Sequence, residues 1–195
     1  MLGYFHQLQD TARGYRLTQV LGLPTILRYR RLVEKYVPHD LDRSILEIGC
    51  GLGSARTLFG GAYTGIDINA AYIDKASQKY TGQFLVMDAG NMTFAPNTFD
   101  DAVSIATSHH LSDDKLAMMI RTSLIVAPCL HLIDAILPLA SGSPFKTILF
   151  RMDRGQYVRK CQQLKDIVAA NARIDGHQIL EGPLHDVMYI RAIRK

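Results

Sequence analysis

Paired cysteines, internal repeats, low-complexity tracts and long apolar runs are all missing from this sequence. Each absence excludes something. The three cysteines, Cys50, Cys129 and Cys161, are odd in number and scattered along the chain. They form no disulfide framework and fit a reducing, cytoplasmic compartment better than secretion. They also lack the spacing of a metal site, and His109 and His110 are adjacent, so no metal is expected. The start, MLGYFHQLQD, has no basic stretch followed by an apolar run, unlike a signal peptide. The most membrane-like stretch, Leu116 to Ala140, is broken by Arg121, Pro128, His131 and Asp134. A bilayer span needs about 20 apolar residues, so this stretch reads as core helix, turn and core strand.

What is present describes one ordinary globular domain. The chain has 195 residues, 48% of them hydrophobic and 21% charged, enough to bury a core without staples. A net charge of +4 permits an anionic ligand without demanding nucleic acid. Residues 1–42 read as helical, a lid, with an apolar stripe of Leu21, Ile26, Leu27, Leu32, Val33 and Tyr36 ending at Pro38. Residues 43–195 read as a core. Short apolar runs at Ser44–Ile48, Ala62–Ile68, Phe84–Met87, Ala102–Ala106 and Leu130–Ile136 read as buried strands. Helix-like stretches lie at Ala55–Phe59, Ala70–Tyr80 and Asp113–Leu124, the last capped by Ser112 or Asp113. A helix over Gln156–Asn171 precedes two closing strands, Gln178–Leu180 and Val187–Ile193, split by Gly182-Pro183. The expected order is helices, five βα-type units and an antiparallel strand pair. That makes an α/β, Rossmann-like doubly wound, mostly parallel seven-stranded sheet.

Ligands of such sheets bind outside the carboxyl ends of the strands, near the switch point. There the first strand runs into Glu47-Ile48-Gly49-Cys50-Gly51-Leu52-Gly53. Three alternate glycines mean a tight turn and backbone that approaches something closely. A dinucleotide loop wants G-x-G-x-x-G, with a diphosphate at a helix start. Here the pattern is G-x-G-x-G, and Glu47 would repel a diphosphate. Glu47 suits a ligand carrying positive charge or hydroxyl and ammonium donors. Asp67, ending the second strand about 20 residues after the loop, has the spacing for a carboxylate that accepts two ribose hydroxyls; a helix-capping role is its alternative. Asp88 ends the third strand, where it can accept from an adenine amino group.

Together these residues resemble the class I S-adenosylmethionine-dependent methyltransferases. LEIGCGLGS is similar to the first motif of that family, GIDIN to the second and VMDAGNMTF to the third. FDDAVSIATSHHLSD is similar to its fourth-strand segment. The resemblance implies S-adenosylmethionine as cofactor and S-adenosylhomocysteine as product. It implies that Glu47, Gly49, Cys50, Gly51 and Gly53 face the methionine part, with Thr107 nearby. Asp67 and Ile68 would hold the ribose side, and Asp88 and Ala89 the adenine. One segment departs from the family. Val126-Ala127-Pro128-Cys129-Leu130 keeps the proline of the turn before the fifth strand and lacks both of its glycines.

The fourth strand ends in Thr107-Ser108-His109-His110. Histidine titrates near neutral pH, so His109 and His110 are candidates for the base or for acceptor contact. Packing at the sheet edge and capping of the next helix are the structural alternatives. Asp134 either faces the acceptor or makes a structural hydrogen bond. Arg151 and Arg154 suit bidentate binding of a carboxylate or phosphate, hence an acidic small-molecule acceptor, or form a solvated helix start. No membrane or nucleic-acid partner is expected, and the chain is a monomer or homodimer. The expected activity is O- or N-methylation of a small molecule. The alternatives are a catalytically silent cofactor-binding module, a protein or nucleic-acid methyltransferase, and, opposed by Glu47, an NAD enzyme.

Overall fold

A computed structural model describes residues 26–137, 156–182 and 186–195. Its centre is a seven-stranded sheet: β1 (Ser44–Ile48), β2 (Ala62–Asp67), β3 (Gln83–Val86), β4 (Asp101–Ile105), β5 (Cys129–Ile136), β6 (Arg173–Leu180) and β7 (Asp186–Ile193). The spatial order is β3-β2-β1-β4-β5-β7-β6. The first five strands are parallel, and β7 pairs antiparallel with both β5 and β6. The doubly wound sheet with an antiparallel closing pair is therefore as expected. The chain goes outward from β1 to β3, then returns across β1 to β4. That reversal puts the switch point between β1 and β4, directly above the glycine loop.

Side-chain alternation divides the core between two faces. Leu46 and Ile48 point to one side, with Leu116, Met119 and Ile120 from α3 (Asp113–Val126) and Leu164 and Val168 from α4 (Cys161–Asn171). Ile45 and Val103 point to the other, against Leu32, Val33 and Val37 of the helical segment 26–37. This segment includes α1 (residues 26–36), and Pro38 follows it as expected. Tyr36 stacks on Tyr189 of β7 with ring centroids 4.5 Å apart, so this part of the amino-terminal region is anchored on the sheet. α2 (Ala70–Lys79) is capped by the Asn69 carboxamide, and α3 by the Ser112 hydroxyl.

Some expectations give way to local chemistry. The stretch at Ala55–Phe59 is only a 3-10 turn, Ser54–Leu58. Among the described residues no helix joins β3 to β4. Residues 87–100 instead turn back on themselves, with the Asp88 carboxylate accepting from the Gly90 amide at 2.7 Å and Asn97 left-handed at φ 56°. The helix expected from Gln156 begins at Cys161, because the backbone at Arg159 bonds to Leu137 at 2.9 Å. β6 starts at Arg173, earlier than expected. It is an edge strand whose polar outer residues resemble a loop in sequence.

Candidate functional site

Three carboxyl ends, those of β1, β2 and β4, converge on the glycine loop. The Gly49 and Cys50 amides donate to the Ile66 carbonyl at 2.8 and 2.9 Å, pinning the loop to β2. Gly49 is left-handed (φ 72°), and a Cβ there would strike Thr107. Thr107 packs in that gap, and its hydroxyl donates to the carbonyls of Ile48, Gly49 or Ile105, 3.0–3.4 Å away. The side chain thus ties β1 to β4. Gly51 is also left-handed (φ 53°), yet a Cβ there would meet nothing within 4 Å. Its backbone lines open space where a ligand can come close.

Two acids border that space. Asp67 is half-buried; one carboxylate oxygen accepts from the Gly51 amide at 2.9 Å and the other from Asn69 at 2.8 Å. Each oxygen has a second lone pair, so two hydroxyl donors can still be served. Glu47 is buried beneath the loop and accepts from the Tyr63 hydroxyl. Burial pushes its carboxyl up to about 7; the Tyr63 hydrogen bond opposes that shift, and the nearby Asp67 charge adds to it. A cationic group placed beside it would restore the carboxylate. Burial likewise raises the Cys50 thiol. It is an uncharged packing group against Gly65.

An apolar patch continues from the acids. Ile68 is 73% exposed just after Asp67, a surface that a flat aromatic ligand could cover. The Ala89 carbonyl accepts from Thr122 of α3 at 2.7 Å, which fixes the loop carrying Asp88. Gly53 ends the glycine loop against Phe84 and Ala76. The open space over Gly51, two free acceptor positions on Asp67, the buried acid and the exposed Ile68 fit a nucleoside carrying a cationic amino-acid tail.

Across the switch point lies a second constellation. His109 and His110 follow β4 in a 3-10 turn, His109 buried and His110 exposed, their rings 4.1 Å apart. His109 Nδ1 lies 2.5 Å from Asp134 Oδ1 of β5. Asp134 also accepts from the Ser108 hydroxyl, from the His109 amide at 3.0 Å and from the Ala135 amide at 2.7 Å. Burial opposes its charge, but His109 and these donors outweigh burial and hold the carboxyl below its usual range. An ionised Asp134 requires Nδ1 to be the donor, so the lone pair of a neutral His109 sits on Nε2. Asp134 is thus a buried partner of His109, the structural hydrogen bond among the two expected roles, not a group open to an acceptor.

Arg159 shows what the sequence conceals. Its guanidinium is buried and grips Asp113 at 2.7 and 2.9 Å, together with the carbonyls of Ser108 and Leu111 at 2.9 and 2.6 Å. It braces the turn carrying His109, so it serves the fold and not an acidic acceptor. Arg151 and Arg154 lie outside the described residues. Tyr63 in β2 and Ser108 in the 3-10 turn after β4 escaped sequence reading, since a lone tyrosine or serine gives no signal of the acid it will meet.

Comparison with known proteins agrees with this geometry. Residues 45–126 match the family model described as a methyltransferase domain. Over 104 residues the chain is 33% identical to a bovine (Bos taurus) 18S rRNA (guanine-N(7))-methyltransferase, covering 50% of this chain and 37% of that protein. Over 118 residues it is 30% identical to the O-methyltransferase rstn1 of Aspergillus nomiae, covering 55% and 52%. The chain therefore spans about half or less of these relatives. Its fold is that of a SAM-dependent methyltransferase from Methanosarcina mazei, at TM-score 0.64 and 21% identity over 84% of this chain and 96% of that one. The matched motifs coincide with the strand ends that build the ligand cleft, so residues 45–126 are similar to a methyltransferase domain and the fold is that of S-adenosylmethionine-dependent methyltransferases.

Proposed function

We propose that this protein transfers the methyl group of S-adenosylmethionine to an oxygen or nitrogen of a small-molecule acceptor. The observation that carries the reading is the buried His109–Asp134 pair at 2.5 Å, set across the switch point from the glycine loop. When bound, the cofactor supplies a methyl carbon on a sulfonium, which the acceptor's lone pair attacks while the sulfur departs with the bonding electrons. Everything else falls to the chain. The Gly51 backbone and Asp67 hold the ribose, Glu47 faces the amino-acid end, and Ile68, Asp88 and Ala89 take the adenine. Positioning of this kind supplies most of the rate when the leaving group is good. His109 Nε2 takes the acceptor proton, and Asp134 stabilises the resulting imidazolium, as a buried carboxylate does for a catalytic histidine. His110, exposed beside it, contacts the acceptor. Most of the lid expected at residues 1–42 lies outside the described residues, and its described part, residues 26–37, packs on the sheet.

The name of the bovine relative favours one other reading, an RNA guanine as acceptor. Turnover with radiolabelled S-adenosylmethionine separates the two. Transfer to a small hydroxyl or amine pool, and none to ribosomal RNA, supports the first; the converse supports the second. In the same assay His109→Ala should lower turnover about 100-fold or more, with S-adenosylhomocysteine affinity unchanged. A wild-type rate in this variant would remove His109 from the mechanism.

A further inference from the structure

The amino-terminal ends of the inner strands β4 and β5 carry a cluster that methyl transfer leaves unused. Asp101 opens β4, and Cys129 and His131 lie at the start of β5, on the face that carries Val103 and Tyr189. All three are buried, at 2%, 4% and 1% exposure. His131 Nε2 lies 3.4 Å from Cys129 Sγ and 3.1 Å from Asp101 Oδ1. The three ligand atoms lie within 4.8 Å of one another. Cys129 stands in the segment that keeps its proline but lacks the family's glycines, so the position departs from the resemblance where this cluster forms.

Hydrogen bonding can settle this cluster in one arrangement, with Nε2–H donating to Asp101 and the Arg191 guanidinium on the Cys129 sulfur, but Nε2 cannot serve the carboxylate and the thiol together. Nε2 carries either a proton or a lone pair. With a proton it can donate to Asp101 but cannot accept from the thiol; with a lone pair it can accept from the thiol but leaves two acceptors facing each other. A metal ion satisfies all three groups at once. Zinc bonds of about 2.3 Å to sulfur and about 2.0 Å to nitrogen and oxygen put tetrahedral ligand atoms roughly 3.3–3.6 Å apart. The two measured separations are close to that. The second ring nitrogen, Nδ1, lies 3.0 Å from the Tyr189 hydroxyl, the outer contact that typically orients a metal-bound histidine. Arg43 bonds to the other oxygen of Asp101 at 2.9 Å through Nε, leaving Oδ1 to the cluster. Asp100, Asp101, Asp175 and a Cys129 thiolate offset Arg43, Arg191 and Arg194, so the local charge tolerates a dication. A pocket of about 360 Å³, bordered by Arg43, Asp101, Cys129 and Arg191, gives the ion a way in and a fourth position.

We propose that Asp101, Cys129 and His131 bind a zinc ion that ties β4 to β5 at their amino-terminal ends, remote from the cofactor cleft. This proposal departs from the expectation of no metal, which rested on sequence spacing; pairing of β4 with β5 brings Asp101 to Cys129 across 28 positions of sequence. The site is independent of the proposed acceptor and of methyl transfer.

Cobalt(II) titration of the chelator-treated full chain tests it. The expected result is saturation at one ion per chain, with tetrahedral visible bands and a near-ultraviolet thiolate charge-transfer band, displaced by zinc. Cys129→Ser should abolish the charge-transfer band, and Cys161→Ser should keep it. S-adenosylhomocysteine binding by both variants shows that each is folded. No thiolate band in the wild-type chain, or a band that survives Cys129→Ser, overturns the proposal. The wild-type spectrum decides even if the Cys129 variant fails to fold.

Discussion

Two carboxylates lie buried on either side of the switch point, and they behave in opposite ways. Glu47, near the end of β1, accepts from the Tyr63 hydroxyl and has a like charge nearby in Asp67. Its carboxyl rises to about 7. Asp134, in β5, has four donors: the Ser108 hydroxyl, the His109 amide and ring, and the Ala135 amide. Its carboxyl stays below the ordinary range. Burial is nearly equal, 3% against 1% exposure, so burial does not decide the outcome; the donor count does. An acid short of donors waits for a cation from outside. An acid saturated with donors has its charge fixed and holds its neighbours in place. Glu47 is thus suited to a ligand and Asp134 to a catalytic histidine.

Breaking the saturated side should have the largest effect. Asp134→Ala leaves the Ser108, His109 and Ala135 donors buried without their acceptor. A loss of about 3–5 kcal/mol in urea denaturation is expected, together with loss of turnover. Asp134→Asn keeps the shape and removes the charge, so it should fold better than the alanine variant and still lose the basic His109. A wild-type rate in the asparagine variant would break the dyad.

The next effect is a slope in pH, with opposite signs at the two acids. Glu47 has a raised native value, so its contribution is intact below about 4.5. It is lost as pH rises to about 7, because the unfolded chain releases the proton first. The difference is at most about 3 kcal/mol. Asp134 has a lowered native value, so its contribution holds above the usual aspartate range and is lost as pH falls below it. Glu47→Gln, which keeps an acceptor for Tyr63, should flatten the upper slope and leave the lower one. A stability profile between about pH 2 and 8 checks this, and an unchanged upper slope would mean that Glu47 is ionised throughout. In the wild type, S-adenosylhomocysteine should bind more weakly as pH falls through 7, since its ammonium favours the Glu47 carboxylate.

The same contrast explains how much of the molecule was legible in its sequence. All five parallel strands fall within a residue of the runs read from apolar spacing, because β1, β2, β4 and β5 are buried on both faces and turn residues bound them; the edge strand β3 is only partly buried but keeps an apolar run. Glu47, the three glycines, Asp67 and Asp88 are motif residues, and their order along the chain is their order across the sheet. Asp134 was visible as a residue but its role was not: four donors from two segments meet it only once β4 and β5 are paired. The bracing role of Arg159 is hidden in the sequence for the same reason. Its partners, Asp113, Ser108 and Leu111, lie some 46–51 positions away. Asp101, Cys129 and His131 look unrelated until the strands align. Local periodicity fixes elements, whereas polar networks spanning strands belong to the topology.

Asp67 makes the smallest and most specific test. It serves the loop and the proposed ribose together: its two oxygens accept from Gly51 and Asn69 and still have two lone pairs to offer. Asp67→Ala should therefore weaken S-adenosylhomocysteine binding by at least about 1 kcal/mol, but that loss mixes a disordered glycine loop with lost hydroxyl contacts. The two parts separate with a ligand that lacks the ribose hydroxyls. If the hydroxyls bind Asp67, the substitution should weaken the deoxygenated analogue less than the parent, because coupling exists only where both partners are present. Equal losses for both ligands in calorimetry would assign Asp67 to the loop alone. The ribose would then have to be held by the Gly51 backbone and its surroundings, and Glu47 would be left as the only acid in the cleft whose state a ligand changes.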